Sequence, residues 1–154
     1  MMYHFKIHQE KEGFWAQCIE LPGCLTQGDT LKELQKNMYD ALNLYIEEPG
    51  DSEDVIALPD KSIKKTKNIV KVGVDPLIAF AFLVRYYRIQ HGLTQLQAAK
   101  KMGFDTIYSY QRLEAKNCNP SLRTIAKIKK IFPEFSIDYA MHGDRIDVSK
   151  RHKN

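Results

Sequence analysis

The segment from Arg88 to Ser121, RIQHGLTQLQAAKKMGFDTIYSYQRLEAKNCNPS, constrains the fold of this chain more than any other. Thr94 stands where a helix N-cap belongs, and Gln97, three residues later, completes a capping box that starts a helix. Gly103 tolerates the positive φ at which a helix ends and the chain turns. The segment therefore predicts a helix, a tight turn and a second helix.

The second helix is expected to have two different faces. Either Asp105 or Thr106 can cap its first turn, and Tyr110 and Leu113, three residues apart, are expected to face the core with Phe104. The opposite face carries the long or polar donors Tyr108, Ser109, Gln111 and Arg112. Such donors suit base edges and phosphates. Many small proteins present a helix–turn–helix of this kind to the major groove of DNA.

Charge divides the chain into two halves. Residues 1–62 carry 5 Lys and Arg against 12 Asp and Glu, a net charge of −7, and residues 63–154 carry 18 against 7, a net charge of +11. Together they give the net charge of +4 of the whole chain. The basic half suits a polyanion such as DNA, and the acidic half does not. The split predicts two modules with different partners.

The composition is that of a soluble globular protein without a membrane partner, because 44% of the residues are hydrophobic and 27% are charged. The longest apolar run, residues 76–84, is about half as long as a membrane span requires. The N-terminus, MMYHFKIHQE, has no apolar signal region. We therefore expect a cytoplasmic protein.

The cysteines and histidines show no pattern of metal ligands. Cys18, Cys24 and Cys118 are odd in number and lack C-x-x-C spacing, so we interpret them as small buried thiols. His4 and His8 share one face of a predicted strand with no carboxylate or cysteine beside them, so we interpret them as surface residues. We predict neither a metal site nor a cofactor.

The first module is predicted to contain three strands and a helix. Tyr3, Phe5 and Ile7 alternate with polar residues, and residues 14–19 form a second β-rich run after the turn at residues 12–13. These two runs predict a β-hairpin, and residues 24–27 give a short third strand.

A helix is expected to follow these strands. Asp29 or Thr30 can cap it, and Glu33 completes a capping box with Thr30. An apolar stripe at intervals of three and four residues then extends from Leu31 to about Glu48. A helix that covers one face of a small antiparallel sheet predicts an α+β fold for this module.

The composition changes between the modules. Residues 48–67, EPGDSEDVIALPDKSIKKTK, are predicted to be an irregular, solvent-exposed connection, in which residues 55–58 form a short strand or pack on the sheet. Residues 68–74 return to the sheet, and Pro76 opens a long helix. We predict one domain at residues 1–74 and an all-α domain at residues 75–154 that ends in a basic tail.

The helical domain resembles a known family. The order and spacing of LTQ, Ala-Ala, Gly, RLE and NPS between residues 93 and 121 resemble those of the lambda-repressor-like (XRE) helix–turn–helix family, over roughly Leu77 to Met141. The resemblance implies that Gln95 contacts phosphate and that Arg88 and Glu114 form a structural ion pair. It also implies that Ile107, Tyr108 and Arg112 face the bases. The predicted DNA-binding residues are Gln95, Thr106, Ile107, Tyr108, Ser109, Gln111, Arg112 and Lys116.

One departure from the family pattern affects this assignment. The spacing from Gly103 to Glu114 is one residue longer than usual in the family. The turn is therefore altered, and the register of the recognition helix is defined only to within one residue.

The N-terminal module resembles a second family. The residues LPGCLTQGDT, from Leu21 to Thr30, followed by a helix, look like those of the HicB antitoxins. That resemblance covers roughly Tyr3 to Val74 and implies a small, partial ribonuclease-H-like sheet domain. A ribonuclease-H-type site needs several carboxylates that converge on two metal ions, normally with an aspartate in the first strand. Residues 3–8 contain none, so we expect no enzyme activity.

The combined resemblance implies an antitoxin of a type II toxin–antitoxin pair. Its N-terminal domain would bind and mask a HicA-like, mRNA-cleaving toxin, with Phe14 and Trp15 either in the contact or in the domain core. Its C-terminal domain would bind double-stranded operator DNA as a homodimer or tetramer and repress its own operon. The alternative is a stand-alone transcriptional regulator with an N-terminal sensing or oligomerisation domain.

Overall fold

The computed structural model describes residues 1–47 and 53–142, and these form two compact units. The sheet unit comprises Met1–Tyr45 and Ala57–Asp75, together with His142. The helical unit comprises Pro76–Met141 and the described residues of Ile46–Ile56. The predicted basic tail at residues 150–153, and residues 48–52 of the predicted connection, lie outside the described residues.

The sheet unit is built on four antiparallel strands. They are β1 (Met2–Gln9), β2 (Phe14–Cys18), β3 (Leu25–Gly28) and β4 (Ile69–Gly73). The strand order is β3-β2-β1-β4, so the predicted β1–β2 hairpin occupies the centre and β4 pairs with β1. The hairpin and the return of the chain to the sheet after the connection were both predictable from the alternation of apolar residues.

One face of this sheet is buried. Tyr3 and Phe5 lie opposite Val72 and Val70 of β4, and all four side chains are buried. Helix α1 (Leu31–Ile46) contributes the other buried stripe of the unit. That stripe consists of Leu34, Met38 and Leu42. A sheet face and a helix stripe that are buried together form the core of an α+β layer.

Helix α1 starts where the sequence predicted. The Thr30 hydroxyl accepts a hydrogen bond from the Glu33 backbone N–H at 3.2 Å. The Glu33 carboxylate in turn accepts one from the Asp29 backbone N–H at 2.9 Å. Both carboxylate and hydroxyl therefore satisfy backbone donors near the start of the helix.

At Gly28 the chain lies close to the backbone of α1. A Cβ atom built at Gly28 would lie 2.6 Å from the Leu34 backbone nitrogen and 3.0 Å from its Cα. Backbone atoms within a helix cannot move aside as a flexible side chain can. Gly28 is therefore required by packing against the helix.

His4 contradicts the sequence interpretation, because it is buried rather than on the surface. Its Nδ1 lies 2.6 Å from Glu20 Oε1, and its backbone N–H donates to Glu20 Oε2 at 3.0 Å. Glu20 also accepts from the Asp60 backbone N–H at 3.3 Å. The partner carboxylate lies 16 residues away in sequence, which is why the strand pattern alone did not reveal it. His8 is half-buried against Trp15.

The helical unit contains five α-helices among its described residues. They are α2 (Pro76–Gln90), α3 (Gln95–Lys101), α4 (Ile107–Gln111), α5 (Leu122–Ile131) and α6 (Ile137–Met141). A 3₁₀ turn, Arg112–Glu114, directly continues α4. The predicted strand or packed segment at residues 55–58 forms no strand, and Ile56 there is buried.

Aromatic and aliphatic side chains fill the core of the helical unit. Phe80 of α2 packs edge-on against Phe135, with ring centroids 5.4 Å apart. Ile128 of α5 and Phe132, which directly follows that helix, are fully buried. The sheet and the helices together confirm the predicted α+β class. Within the described residues, no helix is long and apolar enough to span a membrane.

We predict that Gly28→Ala destabilises the sheet unit by about 1–3 kcal/mol, the range for an overpacked core. Gly23→Ala is the matched control, because its new Cβ would meet only the end of the Tyr45 side chain, at 3.1 Å. Urea denaturation followed by circular dichroism measures both free energies of unfolding. Equal free energies of unfolding for the two variants would show that α1 does not pack tightly against Gly28.

Candidate functional site

The turn between α3 and α4 is defined by local hydrogen bonds. The Thr94 hydroxyl accepts from the Gln97 backbone N–H at 3.1 Å, and the Gln97 side-chain oxygen accepts from the Thr94 backbone N–H at 2.9 Å. Gly103, with φ +67°, takes the left-handed conformation just after α3. The predicted capping box and glycine turn are both present.

Helix α4 begins after Thr106 rather than Asp105. The Thr106 hydroxyl accepts from the Ser109 backbone N–H at 3.3 Å, so it caps the first turn. Tyr110 and Leu113 are buried, as predicted, and they hold α4 and the following 3₁₀ turn to the core. Burial, and then the charge of Glu114, raises the pKa of the Tyr110 hydroxyl, so this group stays protonated.

A buried ion pair lies beneath the helix–turn–helix. Arg88 Nε donates to Glu114 Oε1 at 2.7 Å and Arg88 Nη2 donates to Glu114 Oε2 at 3.2 Å, and both side chains have no exposed surface. Arg88 Nη1 also donates to the Leu93 carbonyl at 3.0 Å. Burial by itself lowers the pKa of Arg88, but the hydrogen bonds and charge of Glu114 outweigh it and raise that pKa.

Two of the predicted DNA-binding residues are joined to this ion pair. Gln95 Nε2 donates to Glu114 Oε2 at 3.0 Å, and Gln95 Oε1 accepts from Gln111 Nε2 at 3.0 Å. Both glutamines are half-buried. Their side-chain amides thus connect the start of α3, the end of α4 and Glu114, which positions α4 relative to α3.

The remaining predicted DNA-binding residues, in α4 and beside it, differ in their exposure to solvent. Thr106, Tyr108, Ser109 and Arg112 are solvent-exposed, and Tyr108 has 74% of its surface accessible. We call these four residues the α4 surface. Ile107 is half-buried. The predicted DNA-binding residue Lys116 is exposed but forms an ion pair with Glu47, with Nζ 2.5 Å from Glu47 Oε1.

An open cavity of about 550 Å³ adjoins the α4 surface and contains residues that the sequence analysis did not select. Ser109 and Arg112 line it on one side. Its further polar lining consists of Asn117, Asn119, Ser121 and Thr124. Ser121 is the N-cap of α5 and accepts from the Thr124 backbone N–H at 3.2 Å. In the sequence, the residues NPS (Asn119 to Ser121) directly before α5 were the signal for this edge of the cavity.

Phe14 and Trp15 occupy a different surface, on the sheet unit. As neighbours in β2 they point to opposite faces of the sheet. Both are half-buried, and the Trp15 ring stacks on His8 with centroids 4.0 Å apart. An open cavity of about 580 Å³ is lined by both aromatic residues and by three carboxylates. These carboxylates are Glu10, Glu12 and Asp29.

The three cysteines are free thiols buried in the structure, as the sequence predicted. Burial raises the pKa of Cys24 to about 11, and it also raises the pKa of Cys118. These groups are therefore protonated and unreactive at neutral pH. Among the residues that the structure describes, no three His, Cys, Asp or Glu side chains are grouped to hold a metal ion.

The fold and these two surfaces define a two-unit protein that joins a small antiparallel-sheet unit to a helix–turn–helix unit. No family model matches the chain. UPF0150 protein ssr1765 of Synechocystis sp. is 39% identical over 67 residues, with 38% of this chain and 85% of that protein covered. UPF0150 protein ssl0738 of the same organism is 38% identical over 58 residues, with 37% and 78% covered. The chain belongs to the UPF0150 family.

We predict that Glu114→Ala destabilises the helical unit by about 3–5 kcal/mol, because it leaves the buried Arg88 guanidinium without its main partner. Glu134→Gln is the control, because it removes an exposed carboxylate that pairs with His91 at 3.2 Å in the same unit. Denaturant unfolding compares the two variants. A Glu114→Ala protein as stable as the control would contradict the role of the ion pair.

Proposed function

We propose that this protein is the antitoxin of a type II toxin–antitoxin pair. In this proposal the sheet unit binds and masks a HicA-like, mRNA-cleaving toxin, and the helical unit binds operator DNA and represses its own operon. One observation carries the proposal. The chain joins a helix–turn–helix with an exposed α4 surface to a sheet unit with a partly exposed aromatic residue, and its first 62 residues carry a net charge of −7.

The DNA-binding half rests on the division of α4 into two faces. Tyr110 and Leu113 are buried, whereas Tyr108, Ser109 and Arg112 extend into solvent. An arginine can form two hydrogen bonds with guanine, and hydroxyl groups can contact bases or phosphates. The net charge of +11 over residues 63–154 supports binding of a polyanion.

The toxin-binding half rests on charge and on the cavity beside Trp15. A ribonuclease must attract RNA, so its active site is expected to be electropositive. Residues 1–62 carry a net charge of −7, and Glu10, Glu12 and Asp29 line the same open cavity as the half-buried Phe14 and Trp15. Acidic groups speed encounter with a basic partner, and an aromatic side chain supplies contact area. The relationship to the UPF0150 family is consistent with this assignment.

We propose no enzymatic role for the sheet unit. The Glu33 carboxylate accepts a hydrogen bond from the Asp29 backbone N–H, so it stabilises the start of α1.

In the proposed mechanism the protein acts as a homodimer or tetramer, so that two recognition helices lie about one helical turn of DNA apart on a pseudopalindromic operator.

We predict that Arg112→Ala lowers discrimination between operator and unrelated duplex DNA by about 1–3 kcal/mol, because a bidentate base contact is lost. Arg123→Ala, which removes the same charge from an exposed position on α5, is the control. Fluorescence anisotropy with both duplexes measures the two affinities for each variant. If Arg112→Ala weakens both duplexes equally, Arg112 contacts phosphate and not a base.

We predict that the product of the adjacent gene, co-expressed with this chain, forms a stable complex, and that Trp15→Ala weakens the complex by about 2 kcal/mol or more. Leu44→Ala, at an exposed position on α1, is the control and should leave the affinity unchanged. Isothermal titration calorimetry on variants shown to be folded gives the affinities.

Two outcomes contradict the toxin-binding half in different ways. Wild-type affinity of a folded Trp15→Ala variant would exclude Trp15 from the contact. No complex at all, together with no toxicity of the adjacent gene product, would favour the stand-alone regulator.

A further inference from the structure

Lys116 is held by a carboxylate of its own chain. Its Nζ lies 2.5 Å from Glu47 Oε1, and the side chains are 55% and 29% exposed respectively. Glu47 directly follows α1, whereas Lys116 follows the 3₁₀ turn that continues α4. Both belong to the helical unit. The pair therefore joins residues 69 positions apart in the sequence.

Glu53, an acidic residue close to Glu47 in the sequence, also contacts a cation of the helical unit. Both carboxylate oxygens of Glu53 accept hydrogen bonds from Arg88 Nη1 at 3.2 Å, although the Glu53 side chain is 67% exposed. Glu47 also lines a small cavity together with Glu114 and Lys116. Glu47 and Glu53 thus place negative charge at two points beside the helix–turn–helix.

We propose that Glu47 is an intramolecular competitor of DNA phosphate for Lys116. This inference rests on the DNA binding proposed above and concerns the regulation of that same site. An ammonium group accepts a carboxylate or a phosphate as its partner, so Lys116 must leave Glu47 when it contacts the DNA backbone. The Glu47 carboxylate therefore lowers the affinity of the chain for DNA.

The partial exposure of the pair makes this competition reversible. Ion pairs that water can reach are weak, so DNA phosphate can replace Glu47 at a small cost. The exchange of Glu47 for DNA phosphate also changes how the DNA affinity depends on salt concentration. A lysine that is free before binding releases about one counterion from DNA, whereas Glu47, once freed, takes up a cation and offsets that release. Glu47 therefore reduces the salt dependence of DNA binding.

The test uses the intact chain and a duplex that contains the promoter upstream of its own gene. Glu47→Gln should raise the affinity about two- to fivefold relative to Asp138→Asn, as expected from the loss of a partly exposed ion pair. Asp138→Asn removes the same charge from an exposed position on α6. The slope of log affinity against log salt should steepen by about 0.9 in Glu47→Gln alone.

A double-mutant cycle completes the test. Glu47→Gln should give no gain in a Lys116→Gln background, because the competed cation is absent. Two results would overturn the inference while wild-type DNA binding stands. One is equal DNA affinity of Glu47→Gln and Asp138→Asn, and the other is a gain in affinity from Glu47→Gln that persists in the Lys116→Gln background. Failure of every variant and of the wild type to bind duplex DNA would overturn the proposed function and the inference with it.

Discussion

The buried ion pair of Arg88 and Glu114 is the interaction on which the helix–turn–helix depends. Arg88 comes from α2, and its guanidinium has no contact with solvent, so each of its N–H groups needs an acceptor within the protein. Glu114 supplies two acceptors and also receives the Gln95 side chain. Because Gln95 in turn binds Gln111, one connected network sets the position of α4 against α2 and α3. The exposed face of α4 depends on this network for its orientation.

Charge gives the two halves of the sequence different uses. The acidic residues 1–62 repel nucleic acid and attract a basic protein, while the basic residues 63–154 attract nucleic acid. One chain can then be linked to both partners at once. Glu47 and Glu53 are exceptions to this division, since they are acidic residues that belong to the helical unit and contact its cations. Their position links the acidic part of the sequence to the proposed DNA-binding site.

The sequence predicted those parts of the structure that depend on neighbouring residues. The Thr94–Gln97 capping box, the positive φ of Gly103 and the alternation of Tyr3 and Phe5 are all local effects of backbone geometry. Long-range polar contacts were not predictable in this way. His4 was expected at the surface because no acid lies beside it in the strand, but Glu20 reaches it through the fold.

The candidate site shows the same limit. Helical spacing correctly separated buried Tyr110 from exposed Tyr108. It also assigned Gln111 to the polar face, but the Gln111 side chain donates a hydrogen bond to Gln95.

NMR titration of the intact chain with duplex DNA from its own promoter tests most directly the central claim, which is that the helix–turn–helix binds DNA. The account predicts amide shift changes concentrated in residues 106–116. Changes confined to the sheet unit, or none at all, would contradict it.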